Sequence, residues 1–134
     1  MRMHKLQGTA MACAVALVLV SVGCGGPSVV SEERETLSWI ESKLGLVTVE
    51  GEHIVEVDLH GTDVNDADLT KLQSLSKLRS VVLYSTSISD AGLETLAELP
   101  SIKYIDISST QVSPKTVSAL TRKNSDLSIA GPGA

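Results

Sequence analysis

Apolar side chains recur along this chain with a period of 24 residues. Ile54, Leu78 and Ile102 are spaced this way, as are Val57, Val81 and Ile105, and Leu59, Leu83 and Ile107. The same spacing links Val64, Ile88 and Val112; Leu69, Leu93 and Val117; Leu72, Leu96 and Leu120; and Leu75, Leu99 and Lys123. Of these 21 positions, 20 are Ile, Leu or Val; the overall apolar content alone would give about nine. Lys123 is the exception and falls where the array ends. The first half of each unit alternates apolar and polar residues, which predicts a half-buried strand. The second half carries apolar residues at i, i+3 and i+6, one face of a helix. At the switch stand Asn65, Ser89 and Ser113, suited to helix N-caps. Asp66, Asp90 and Pro114 follow them. Asp and Pro share little chemistry, but both suit a first helical turn: Asp meets the dipole and Pro has no N–H to lose. Thr62, Thr86 and Thr110 form a further column, whose hydroxyls are expected to bond the turning backbone of a neighbouring unit.

The flanks follow different patterns. Ser31 is a candidate N-cap, with Glu32 and Glu33 in the first turn, and Leu37, Ile40 and Leu44 on one face. These predict an amphipathic helix over residues 32–44, stopped by Gly45. Trp39 is expected to seal it against the next element. Leu46–Glu50 and His53–Leu59 read as two strands of a hairpin turning at Gly51 and Glu52. Helix and hairpin together would cap the open edge of the first unit. A partial fourth strand is expected at Leu127–Ile129. Ala130–Ala134 has no pattern and should fray.

Together these columns resemble the leucine-rich repeat family, in the bacterial form with T-x-[IV]-[ST]-D-x-[GA]-L after the strand. Here that motif reads Thr86-Ser87-Ile88-Ser89-Asp90-Ala91-Gly92-Leu93. Thr at positions 62, 86 and 110 replaces the Asn common in the family. The resemblance covers residues 54–123 and implies an α/β fold: a short solenoid of three strand–turn–helix repeats behind an N-terminal helix and β-hairpin cap. Three repeats are close to the minimum for a stable array, so the cap is expected to be essential. The resulting organisation has a leader at 1–23, a tether at 24–30 and a cap at 31–53. Repeats at 54–123 and a degenerate end at 124–134 complete it.

The leader carries Arg2, His4 and Lys5 before an apolar or small stretch from Thr9 to Val22. Fourteen residues are too few for a helix that needs about 20 to cross the bilayer, so an export signal is the better reading. Val20-Ser21-Val22-Gly23-Cys24 resembles a bacterial lipobox, with Ser21 where Leu is usual. That resemblance implies cleavage before Cys24, a diacylglyceryl group on its thiol and an acylated (palmitate-type) amine. The alternatives are an ordinary secretory signal, giving a secreted product, and an uncut membrane helix. Cys13 would leave with the leader, so the mature chain could form neither a disulfide nor a cysteine metal site.

Cleavage removes two of the 11 basic residues and none of the 16 acidic ones, leaving a formal charge of −7. Such a surface disfavours nucleic acid and argues against a polybasic membrane patch. The lipid alone is the expected membrane contact, with a mild preference for the outer membrane because Gly25 follows Cys24. No phosphate-binding glycine loop, metal-ligand spacing or nucleophile elbow occurs, and Asp63, Asp66 and Asp68 read as solvated loop and cap residues. No catalytic residue, cofactor or metal is therefore expected. What remains is the strand surface. Alternation points Glu56, Ser80 and Tyr104 outward in one row, Asp58, Val82 and Asp106 in the next, and His60, Tyr84 and Ser108 in a third. Both tyrosines of the chain lie here, and Tyr is enriched at interfaces. Glu56, Asp58, His60, Val82, Tyr84, Tyr104 and Asp106 form the candidate binding face. A monomeric, non-enzymatic module that holds a protein or peptide partner at the envelope is expected. Alternatives are a carbohydrate- or small-ligand-binding lipoprotein and a passive structural component.

Overall fold

A computed structural model describes residues 28–132 together with Ala16–Val18. Six strands form one mixed sheet in chain order. They are β1 (Ala16–Val18), β2 (Leu46–Glu50), β3 (His53–Asp58), β4 (Ser80–Val82), β5 (Tyr104–Asp106) and β6 (Ser128–Ala130). β1, β2 and β3 are antiparallel neighbours, whereas β3 to β6 run parallel. Parallel neighbours need a crossover, and each crossover here carries a helix. After β3 it is a 3-10 helix (Asp68–Ser74); after β4 and β5 come α2 (Asp90–Ala97) and α3 (Pro114–Lys123). The first helix, α1 (Arg34–Ser42), precedes β2 and follows a 3-10 turn at Ser31–Glu33.

The 24-residue period becomes a strand register. Val57 pairs with Val81, Val81 with Ile105 and Ile105 with Ile129. Their side chains point to the helices and are buried, as are Leu59, Leu83, Ile107, Leu69, Leu93 and Val117. Each fully buried Leu or Ile contributes about 1.5–3 kcal/mol. Strands of three residues supply few ladder bonds, so the apolar layer and the turns carry much of the cohesion. Trp39 and Leu120 are only partly buried against this core. β6 extends to Ala130, so that residue belongs to the sheet, not to a fraying tail.

Two kinds of turn contact bind one unit to the next. Three residues past the ends of β3, β4 and β5 the backbone turns left-handed, at Gly61 (φ 65°), Ser85 (φ 57°) and Ser109 (φ 56°). These too are 24 residues apart. The column is hard to see in the sequence because glycine, the residue that adopts this geometry at least cost, stands there only once. The second contact is an aspartate clasp. The Ser89 N–H donates to Asp66 Oδ1 (2.7 Å) and its hydroxyl to Oδ2 (2.5 Å). One unit on, Ser113 N–H donates to Asp90 Oδ1 (2.7 Å) and its hydroxyl to Oδ2 (3.0 Å). The expected dipole role of these aspartates is therefore secondary. Each reaches forward to the helix start of the following unit. Pro114 takes the third position.

Several expectations are corrected. The threonine hydroxyls turn back within their own unit: Thr62 to Leu59 O (2.7 Å), Thr86 to Leu83 O (2.6 Å) and Thr110 to Ile107 O (2.6 Å). The first crossover is a 3-10 helix, preceded by a turn in which Asn65 Oδ1 accepts from the N–H groups of both Ala67 and Asp68. Asp68 in turn accepts from Asn65 N–H, a tight reciprocal turn. α1 ends at Ser42, and Leu44 adopts the left-handed conformation (φ 61°) with its side chain 89% exposed. Leu44 N–H donates to Glu41 O and Gly45 N–H to Ile40 O, a Schellman closure with leucine in the usual glycine place. Gly45 serves close packing, since a Cβ there would lie 2.7 Å from the Leu59 side chain. Glu33 is not a solvated first-turn carboxylate. It is 1% exposed, accepts from Ile54 N–H (2.7 Å) and pairs with His53 Nδ1 (2.9 Å), which ties the helical entry to β3.

Two further points concern the ends. Val29 is buried, so the tether expected over 24–30 stops short of it. β1 lies within the segment expected as an export leader; cleavage before Cys24 would leave β2 as the sheet edge. Cys24 itself lies outside the described residues, as do Gly133 and Ala134.

Two substitutions test the turn contacts. Ser109→Gly should raise stability by about 0.5–1 kcal/mol, because the left-handed strain outweighs the added chain entropy. A urea midpoint that is unchanged or lower would contradict this. In an ordinary helix Gly92→Ala would stabilise by up to about 1 kcal/mol. Here the new Cβ would lie 2.3 Å from Asp66 Oδ1 and would push that carboxylate off Ser89. A loss of about 1–3 kcal/mol is expected instead, with faster hydrogen exchange at the Ser89 amide.

Candidate functional site

The sheet surface opposite the helices is set by the same register. Thr48, Glu56, Ser80, Tyr104 and Ser128 stand side by side in one row, and Leu46, Asp58, Val82, Asp106 and Ala130 in the next. Alternation along the chain marks the three central positions of each row. It leaves out Leu46 and Thr48, which the hairpin register could have supplied, and Ser128 and Ala130, which continue the 24-residue count.

Past the strand ends, the third row gathers the aromatic groups. The His60 and Tyr84 rings stack with centroids 4.8 Å apart and planes 7° from parallel. Strand spacing in a sheet is about the same, so the stack is the sheet period expressed in side chains. The backbone keeps this alignment past the strands, with Gly61 N–H donating to Tyr84 O (3.0 Å) and Ser85 N–H to Ser108 O (3.0 Å). Asp58 fixes the imidazole from below: its Oδ1 accepts from His60 N–H (3.0 Å) and pairs with Nδ1 (2.7 Å). Asp106 plays the same turn role two units on, accepting from Ser108 N–H (2.9 Å). In both aspartates Oδ2 has no hydrogen-bond partner among the described residues.

Tyr84 and Tyr104 are 40% and 37% exposed. Glu56 is exposed and Val82 half-buried between the two aspartates. All seven candidate residues thus share one surface, with Tyr104 two rows away from the His60–Tyr84 stack. No lysine or arginine occupies these rows, so the face is acidic and aromatic. No known protein-family model matches this chain, and no curated protein matches it in sequence.

The chemistry available here is recognition by ring faces, carboxylate oxygens and hydroxyls. Both described histidines pair with carboxylates, His53 with Glu33 and His60 with Asp58, and neither with a hydroxyl. The hydrogen-bonded Ser–His arrangement that activates a nucleophile is therefore absent among the described residues. Asp63 pairs with Lys43 (2.8 Å), and Asp66 is engaged with Ser89. Among the described residues no group of three or more His, Cys, Asp or Glu is placed to hold a metal ion. Charge pairing separates the Lys43 and Asp63 equilibria. Their mutual hydrogen bond holds the Asp63 carboxyl below its usual range and the Lys43 amine above its own.

Proposed function

We propose that this chain is a lipid-anchored recognition module of leucine-rich repeat type, which holds a protein or peptide partner on the sheet face. The repeat reading rests on the 24-residue register and on the strand–turn–helix unit that carries it. Anchoring rests on the apolar leader and the Val22-Gly23-Cys24 junction. Among the described residues no helix is long and apolar enough to cross a membrane. A lipid on Cys24 would supply the attachment, and more than one acyl chain makes it stable.

The observation that carries the binding role is the aromatic arrangement. The exposed Tyr84 ring lies parallel to the His60 ring, and the His60 imidazole is in turn paired with Asp58. A rigid ring with a polar tip gives contact area at low entropic cost. Tyr104 and Val82 add apolar surface on the same face, with carboxylates at Glu56, Asp58 and Asp106 to set direction. Four parallel strands span only about 15 Å at ~4.8 Å each, so the footprint is small and affinity should be modest.

The same stacked ring also suits a sugar, whose C–H face lies flat on an aromatic ring. One screen separates the two partner classes. Wild type and the Tyr84→Ala/Tyr104→Ala double variant are titrated in parallel against envelope proteins and cell-wall glycans. Protein or peptide binding that drops at least about tenfold in the double variant, with the fold kept by circular dichroism, supports the proposal. Binding confined to glycans would move the function to carbohydrate recognition, and equal binding by both proteins would remove the face from it.

A further inference from the structure

The chain enters the fold at one particular rim. Val29 is buried, and Val30 N–H donates to Glu52 O (2.9 Å) in the β2–β3 turn. That turn lies where the parallel strands begin. Arg79 directly precedes β4 and Lys103 directly precedes β5, 24 residues apart. With Lys77, His53 and Glu50 they line a groove of about 520 Å³. Arg34 joins this end, its Nε donating to Val29 O (3.4 Å).

The opposite rim, where the strands end, has the reverse character. Asp58, Asp63, Asp66, Asp90 and Asp106 lie at or just past the strand ends, with Lys43 paired to Asp63. At the entry rim Arg34, Lys77, Arg79 and Lys103 stand with Glu50, Glu52 and Asp126. Glu50 pairs with Arg79, and Asp126 with Lys103 at 3.5 Å. Both pairs are solvent-exposed, so each contributes little and exchanges readily for another anion. Lys77 has no carboxylate partner among the described residues. Carboxylates thus predominate at the far rim, where Lys43 and Lys115 are the cations, whereas cations and carboxylates are mixed at the rim where the chain enters.

We infer that the entry rim, with Lys77, Arg79 and Lys103, lies against the anionic headgroups of the bilayer that holds Cys24. The inference rests on the lipid-anchor reading. Four residues lie between Cys24 and buried Val29, and the five steps across them reach at most about 18 Å. The surface potential of anionic lipid decays over about 8–10 Å, so the tethered domain stays within or near it. In that field a strongly acidic body turns its negative rim outward and its cations inward. Net charge, which disfavours a basic membrane contact, hides this difference between the rims. With the rim seated, the strands stand up from the bilayer. The His60–Tyr84 stack, at the far end of the sheet face, then lies farthest from lipid and open to a partner.

The test uses the mature acylated protein in vesicles of phosphatidylcholine with or without phosphatidylglycerol. Mass spectrometry of Cys24 comes first: an unmodified thiol there would overturn the anchor reading and this inference with it. A fluorophore is then placed at Ser76→Cys, near the entry rim, or at Ser87→Cys, at the far rim; both positions are exposed. Quenchers on lipid headgroups report proximity. With phosphatidylglycerol present, position 76 should quench several-fold more than position 87. The contrast should shrink in the Lys77→Glu/Lys103→Glu variant and at about 1 M salt, where screening acts within ~3 Å. Equal quenching at both positions in acylated protein, or a contrast indifferent to anionic lipid, would overturn the orientation while leaving the anchor standing.

Discussion

The fold depends on how each 24-residue unit grips the next. The apolar columns lie between neighbouring strands and their helices, so cohesion is supplied across the 24-residue register. The strands are short and offer few ladder bonds. At one rim the aspartate clasp fills the gap: Asp66 holds the helix start at Ser89, and Asp90 holds the one at Ser113. A charged acceptor on a backbone N–H is roughly twice as strong as a neutral one. The Ser113 N–H accordingly keeps the Asp90 carboxyl below its ordinary range, helped by the Ser113 and Thr116 hydroxyls. Gly92 is part of the same device, since any side chain there would occupy the space of the Asp66 carboxylate.

This device has consequences for the rest of the molecule. Because the clasp needs an aspartate per junction and sits where strands end, it loads that rim with negative charge. Asp58 and Asp106 add to the load for a local reason, closing the turns at His60 and Ser108. The clasps and the turn closures thus make this rim acidic. At the other rim, beside the point where the chain enters, cations and carboxylates are mixed. Orientation at a membrane and presentation of the aromatic stack would both follow from the stacking chemistry.

What the sequence discloses follows from which contacts are chemically uniform. Columns such as Val57, Val81 and Ile105 repeat one kind of side chain, and their register was legible down to the residue. The left-handed column was not, because Gly61, Ser85 and Ser109 meet one backbone demand with different residues. Asp66 and Asp90 were visible as a column, but their partners lie 23 residues ahead, where local helix rules do not look. Glu33 reads as a solvated helix-start residue until tertiary packing brings Ile54 and His53 onto it. Leu44 falls at helical spacing yet lies one residue past the turn that ends the helix. The rows of the candidate face were legible because alternation is a local property. The His60–Tyr84 stack was not, since it needs two units in exact parallel alignment past their strands.

The forward clasp is most directly tested by urea unfolding of wild type and Asp90→Asn at neutral and acid pH. A carboxyl held low in the folded state contributes stability above its unfolded pKa, about 3.9, and loses it as pH falls through the lower folded value. Asp90→Asn should therefore be less stable than wild type at pH ~7. The gap should narrow as the pH is lowered through the carboxylate range. A gap that is absent at neutral pH, or that stays constant on acidification, would contradict the account.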